Sequence, residues 1–537
     1  MATGQSEDSK KLTGADCLIA ALIFLAIIIE GLHTMRMIGP SWDEPVYFHL
    51  ANSYLGWLKN LGAASLSADA LERVFGISVQ NYSTAFTHFL GAFTMVAFRD
   101  LLGEFRAYRI YALILFGLLM ALVYLRAKLS WGRSAAAASV LFVLFMPRLF
   151  SEGHIGATES PLCFFWFLTV VVFEAAFKKK YFAPLAGVCF GLAMSVKFTG
   201  FLLAAPLLAW GLVYRPKKIL FPTLCLFLLG PLVFVLLQPS CWHHPVDGLV
   251  NFITLSVSRE QYTGYVPVVF LGKYYKFSAP WFYAPFMVLV TVPVFGLLMF
   301  ALGFFRLVAN RFKDSLALAA AIHFLFFMVL VMSPNAPTYD GVRLFIPALV
   351  FLGLIAGYGF DGARVFLARK LERLGFLERQ SGKTLALLIL AVILSVVFLK
   401  NYPFGLEYYN GLIGGAKGAR ARGMETTYWW TVVNEDALSE INAKLPADSL
   451  LLCWPTRARI CEFYQELGLL KKEVKITYQT DFDYLLMLSR PYWDYQPFFD
   501  SIGVDRRELT VEAESTLDGV PLWVLYKRAP ETIDPRK

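Results

Sequence analysis

Apolar runs, each long enough to cross the hydrocarbon core of a bilayer, constrain this chain more than any other feature. They fall at roughly 16–38, 107–126, 134–150, 160–177, 181–197, 198–214, 219–238, 281–305, 315–332, 343–360 and 384–400, which predicts about eleven helices. In lipid a run of this kind must satisfy its own backbone, and a helix does so. With 57% of 537 residues hydrophobic and only 17% charged, the polar content is too low to clothe a soluble globule of this size. No charged and apolar leader with a small-residue cleavage site precedes the body, so the run from Asp16 to Ile38 reads as a retained first helix.

The formal charge of +9 might suggest a nucleic-acid partner in a soluble protein. Here the basic residues form short clusters between apolar runs: Arg126/Lys128/Arg133, Lys178/Lys179/Lys180, Arg215/Lys217/Lys218, Arg306/Arg311/Lys313 and the tract from Arg364 to Lys383. That pattern is topological and marks the cytoplasmic face. The longer polar segments then share the opposite face: loops 39–106, 147–160 and 238–280, the loop Ser333 to Val342, and everything after Lys400. Residues 1–400 read as the membrane domain and 401–433 as a Gly-rich connector. Residues 434–537 read as a small α/β domain outside the membrane, with an amphipathic helix pattern at Glu435 to Leu445 and strand-like "SLLLCW" and "VPLWVLYKR".

Seven cysteines lie scattered without a CxxC pair, which gives no metal-finger or redox signature. Only Cys453 and Cys461 are close enough in sequence to pair, and their strand-to-helix placement leaves a bridge open. The Gly-rich stretch Gly411 to Gly418 lacks the GK[ST] ending of a nucleotide loop. Asn81-Tyr82-Ser83 matches a glycan acceptor sequon, a pattern common by chance.

The polar residues that could carry chemistry gather on the outer face. In "SWDEPVYFHLA", Asp43 is placed to cap a helix that continues through Pro45, while a second acid, Glu44, is more than a cap needs. Two carboxylates at the water–lipid boundary suit a base or a cation ligand beside an interfacial substrate. "PRLFSEGHIGATESP" supplies Glu152, His154 and Glu159, either as a solvated turn or as partners that could share a divalent ion with the first loop. Lys197 is expected to snorkel to the outer interface, as an anchor or as the cation a lipid phosphate needs. Arg343, in "TYDGVRLFIPAL", offers a fork for the same phosphate. In "CWHHPVDG", His243 is a weaker candidate for a metal or an acceptor, and His323, inside a span, reads as a packing residue.

Read in order, "SWDEPVYFHLA" and "GLAMSVKFTG", followed by "YPFGLEYYNGLIGGAKGARARGMETTYWW", resemble the GT-C superfamily of integral-membrane glycosyltransferases. The likeness is to its family-39-like branch, which contains the protein O-mannosyltransferases and the lipid A aminoarabinose transferases. The resemblance implies a helical membrane enzyme of bacterial inner-membrane type, with its site facing outward. It would take a sugar from a polyprenyl phosphate and transfer it, with inversion, to a hydroxyl of a lipid, glycan or protein. It implies that Asp43 is the acceptor base or a metal-and-acceptor organiser and that Glu44 is its partner. Glu159 stands where many members carry an aspartate, and a divalent ion is an optional addition. The family's His-Pro-Pro stretch is replaced here by "NYSTAFTHFL". A transporter or flippase of a lipid-linked substrate is the competing reading, but it calls for polar residues midway through several spans. Here Glu30 and His323 are rare exceptions. A non-catalytic scaffold for envelope assembly would instead leave the acids and cations dispersed.

Overall fold

The computed structural model describes residues 11–77, 83–258, 261, 268–334, 336–455, 459–490, 499–500 and 503–529. Asn81 and Tyr82 of the sequon lie outside them. The chain is an integral membrane protein built as a helical bundle with a small C-terminal sheet unit. Among the described residues six helices are long and apolar enough to cross a membrane: Gly14–Met37, Glu104–Trp131, Glu159–Lys178, Leu220–Leu237, Pro347–Lys370 and Gln380–Asn401. A seventh crossing forms if Tyr283–Thr291 and Val294–Ala309 are taken together, though they bend by 118° at Val292-Pro293.

The expected count of about eleven spans is not confirmed by helix length, because four of the predicted runs form shorter helices. Arg133–Leu144, Phe182–Val196, Ser315–Val331 and the stretch Phe198–Tyr214 are apolar but shorter. The reasons are local. Pro147 opens a separate short helix, Pro147–Glu152, where the apolar pattern runs on to residue 150. Phe198–Leu203 is a 3₁₀ segment before the helix Ala204–Tyr214. Apolar composition measures burial as well as lipid exposure, so a short buried helix is counted as a span.

Close approach of the helices follows from small residues. A Cβ on Gly357 would stand 2.1 Å from Ser139 Oγ, and one on Gly353 would stand 2.5 Å from a methyl of Val143, so Pro347–Lys370 packs directly on Arg133–Leu144.

Two polar ends cap this bundle. At one end the basic clusters meet acids: Lys128 and Arg133 pair with Asp16 at 3.0 and 2.7 Å, Arg126 with Glu174, and Arg364 with Asp361 at 2.8 Å. Trp131 Nε1 donates to Asp314 at 2.9 Å, tying the same end together. The helix Glu104–Trp131 runs to the other end, where its Arg109 is buried. At 1.5 Å per residue, Arg109 and Arg126 lie roughly 26 Å apart along the axis, about the depth of a bilayer core.

The C-terminal sheet orders Lys475–Thr477, Leu450–Trp454, Tyr484–Leu488, Val520–Arg528 and Leu509–Leu517, the first three parallel and the last two joined antiparallel. The central strand Tyr484–Leu488 is buried along its whole length, as expected of a strand covered on both faces. Glu435–Lys444 forms the amphipathic helix, with Asn434 Oδ1 accepting from the Ala437 N–H at its start. Cys453 and Cys461 form a disulfide. This unit sits on the end of the bundle that holds Arg109. Asn434 Nδ2 donates to Met37 O at 3.0 Å, and Phe463 packs edge-on against Phe48 and Phe105.

Candidate functional site

The two adjacent acids of the first loop turn to different partners. Glu44 is fully buried, and its carboxylate accepts Arg109 Nε and Nη2 at 2.7 Å each, the Ser41 N–H at 2.7 Å and the Gly156 N–H at 2.8 Å. Arg109 uses its remaining donors on the carbonyls of Ile38 and Gly39. This pair fastens the loop after the first span to the helix Glu104–Trp131 and to the turn at Gly156. With four donors on its two carboxylate oxygens, Glu44 anchors the loop.

Asp43 occupies the position before the helix Glu44–Lys59 but makes no capping hydrogen bond with its side chain, contrary to the capping expectation. Its Oδ2 instead accepts Arg343 Nη2 at 2.7 Å and Trp429 Nε1 at 3.1 Å, and its side chain stays 32% exposed. It is the most open acid of the cluster around Arg343.

Arg343 is the hub of that cluster. Its Nε donates to Glu159 Oε1 at 3.0 Å and its Nη1 to Asp340 Oδ2 at 3.0 Å, and its guanidinium lies 3.6 Å from the centre of the Trp429 ring. Lys197 Nζ donates to the same Glu159 Oε1 at 2.8 Å, so two cations converge on one carboxylate oxygen. The snorkelling expected of Lys197 thus ends in an ion pair at the site. A small, partly open recess of about 10 Å³, room for roughly one water, lies alongside, lined by Arg343, Asp340, Glu152, Arg148, Tyr428 and Trp429 among others.

Backbone strain concentrates here too. Asp340 and Trp429, both in contact with Arg343, adopt the left-handed region with φ of 58° each, a conformation that costs on the order of 1–3 kcal/mol per residue and persists where its surroundings over-determine it. The connector is held by Trp42 N–H to Trp429 O at 3.2 Å and by Gly39 N–H to Thr431 O at 2.8 Å.

Glu152 lines the recess, is 3% exposed, and its Oε2 has no hydrogen-bond partner among the described residues. Burial, and then the charge of Glu159, push its carboxyl well above the usual carboxylate range. The two histidines go elsewhere. His154 is fully buried, with Nε2 3.0 Å from Thr34 Oγ1 and Nδ1 2.9 Å from Phe150 O. His243 is exposed, with its ring nitrogen 2.8 Å from Leu66 O. Among the described residues no three His, Cys, Asp or Glu side chains stand together as a metal site. His323 accepts from Trp166 Nε1 at 3.0 Å and stacks on Phe351, a packing role.

Several residues of the site were not singled out by sequence reasoning. Arg109 had a visible signal, a lone arginine inside an apolar run. Asp340 stands three residues before Arg343, and Trp429 lies in the connector, but nothing in their local pattern marks them. Arg148, by contrast, belongs to the polar turn "PRLFSEGHIGATESP" that the sequence did mark, and it is buried against the Tyr409 and Tyr428 rings at 5.0 and 4.5 Å.

Residues 88–243 match the family model described as dolichyl-phosphate-mannose-protein mannosyltransferase. The stretch includes Glu152, Glu159 and Lys197. The chain thus resembles the GT-C superfamily glycosyltransferases, membrane transferases that include the O-mannosyltransferases, as its motifs implied. No curated protein matches it in sequence. Among solved structures, ArnT from Cupriavidus metallidurans bound to undecaprenyl phosphate is similar, with a TM-score of 0.49 and 14% identity over 95% of this chain and 97% of that one. The archaeal oligosaccharyltransferase AglB from Archaeoglobus fulgidus, in complex with an inhibitory peptide and a dolichol-phosphate, has a TM-score of 0.47 and 13% identity over 86% of this chain and 60% of that one.

Proposed function

We propose that this protein transfers a sugar from a polyprenyl-phosphate donor to a hydroxyl acceptor at the outer face of a membrane. The observation that carries the reading is the convergence of Lys197 and Arg343 on Glu159 Oε1, next to the half-open Asp43, at the end of the bundle opposite the basic clusters. A phosphate headgroup that displaces Glu159 from Lys197 and Arg343 would meet two cations, and the Trp429 ring under Arg343 keeps the guanidinium plane fixed while its ion partners exchange. A polyprenyl phosphate is already a good leaving group. The protein need only hold it, exclude water and take the acceptor proton, and Asp43 is the accessible base for that last step. The family match over residues 88–243 supports the same chemistry.

The test reconstitutes the protein in lipid with a radiolabelled polyprenyl-phosphate sugar, or with the corresponding nucleotide sugar. Transfer is expected from the lipid donor alone. Lys197→Ala and Arg343→Ala should weaken donor use more than acceptor use, while Lys444→Ala on the exposed C-terminal helix should change neither. Transfer from the nucleotide sugar without any polyprenyl phosphate would overturn the reading.

Orientation is tested separately. Single cysteines placed between Asp436 and Asp448 should react with a membrane-impermeant thiol reagent in intact cells, or in spheroplasts where an outer membrane intervenes. Labelling only after lysis would put the site on the cytoplasmic face, where the positive-inside pattern forbids it.

A further inference from the structure

The C-terminal sheet unit reaches the site through one side chain. Strand Tyr484–Leu488 ends two residues before Arg490, and the intervening Ser489 is pinned on both sides, its N–H to Leu522 O at 2.9 Å and its carbonyl to Thr427 Oγ1 at 2.8 Å. Arg490 is 4% exposed, and its guanidinium lies 4.7 Å from the centre of the ring of Trp42, the residue before Asp43. One of its nitrogens faces Asp340 Oδ1 at 3.7 Å and another faces Glu425 Oε1 at 3.9 Å. Asp340 thus has an arginine on each oxygen, Arg343 on Oδ2 and Arg490 on Oδ1.

We propose that Arg490 is a positioning residue of the transfer site: it holds Asp340 as a charged acceptor, and Asp340 in turn fixes the plane of Arg343. This rests on the reading of the site as a lipid-phosphate-sugar transferase. The charge balance explains why an arginine is required. Asp43, Glu159 and Asp340 all point at Arg343, with Glu152 and Glu425 buried close by. Carboxylates crowded in this way protonate unless cations face them.

Asp340 is pushed up by burial and by Asp43, and pulled back by Arg343 and Arg490. Burial carries Glu425 up to about 7, with Arg490 and Arg148 pulling down and Asp340 pushing up; Tyr283, Tyr409 and Tyr428 are its other titratable neighbours. A protonated Asp340 presents a hydroxyl where Arg343 Nη1 needs an acceptor. Arg343 would then be free to turn, and a phosphate held by it would lose its alignment. The soluble unit is, on this view, a component of the site and not only a cover.

Arg490→Gln keeps an amide donor and removes the charge. It is expected to lower kcat/KM for the polyprenyl-phosphate sugar by about 10- to 100-fold, and to move the acidic limb of the pH–rate profile upward by about one pH unit. Arg490→Lys should return the limb to near its wild-type position. A residue that only braced the sheet would change the thermal midpoint and leave the limb in place. pH-difference infrared spectroscopy of purified protein reads buried carboxyl protonation without needing turnover, and the Arg490→Gln titration should move in the same direction. If Arg490→Gln does not fold, the cycle of Arg490→His, which is neutral above the imidazole range, with Asp340→Asn decides: the effect of the histidine on the limb should vanish when Asp340 is already neutral, and full additivity overturns the proposal. An unchanged limb and an unchanged infrared titration in Arg490→Gln also overturn it. A wild-type protein without transfer activity would sink the proposed function, and the infrared titration would still decide this point.

Discussion

Asp43→Asn is expected to lower turnover by about 10²- to 10⁴-fold, the usual cost of losing a positioned base, with little change in stability or in donor affinity. The substitution is nearly isosteric. Its amide oxygen can take over Asp43 Oδ2, which now accepts both Arg343 Nη2 and Trp429 Nε1. What it loses is the charge and the capacity to receive a proton. Charge-assisted hydrogen bonds are worth about 1.5–3 kcal/mol and neutral ones about 0.5–1.5, so a net loss of about 1 kcal/mol bounds the stability effect. The helix Glu44–Lys59 is not at risk, because Asp43 makes no side-chain cap there. Steady-state transfer by purified, equally stable protein checks this. An Asn variant that turns over at near the wild-type rate would leave Asp43 as a ligand of Arg343 and nothing more.

Its neighbour predicts the opposite phenotype. Removing the partner of a fully buried charge typically costs about 3–5 kcal/mol, so Arg109→Met should strongly destabilise the protein, with Glu44 left charged inside the bundle and 0% exposed. The loss should be visible as a large drop in thermal midpoint in detergent, before any question of activity arises. Adding Glu44→Gln removes the stranded charge, and its one amide oxygen keeps an acceptor for either the Ser41 or the Gly156 N–H, which now use different carboxylate oxygens. The double variant should therefore be more stable than Arg109→Met alone, a sign of direct coupling. If Arg109→Met melts with the wild type, the pair does not fasten the loop and the division of labour between Asp43 and Glu44 fails. Two adjacent carboxylates would thus separate cleanly, one lost to activity and one to folding.

Much of the architecture was legible without coordinates. Apolar length and the clustering of basic residues are local properties, so the membrane class, the outline of the longer spans and, in the C-terminal unit, the helix at Glu435–Lys444 and the strands Leu450–Trp454 and Val520–Arg528 could be read directly. The exact span count is not fixed by composition, which does not distinguish a helix buried among helices from one bathed in lipid. The 118° bend at Val292-Pro293 and the break before Pro147 lie within apolar runs that look continuous.

The site was legible only as a set of candidates. Asp43, Glu159, Lys197 and Arg343 could be named one by one as charged residues at the edges of apolar runs. The sequence also placed Glu44 beside Asp43 as its partner, and offered His154 and, more weakly, His243 as ligands. Which of them meet is a matter of pairs 38, 184 and 300 residues apart, and no local period encodes a contact of that range. Packing sent Glu44 inward to Arg109 and Asp43 outward to Arg343. It also brought in Asp340, Trp429 and Arg490, whose surroundings in sequence carry no mark of function. The sequence by itself determined that this chain lives in a membrane and collects its charge at two ends; the tertiary structure decided which charges face one another, because an ion pair's energy depends on distance and burial that only the folded bundle sets.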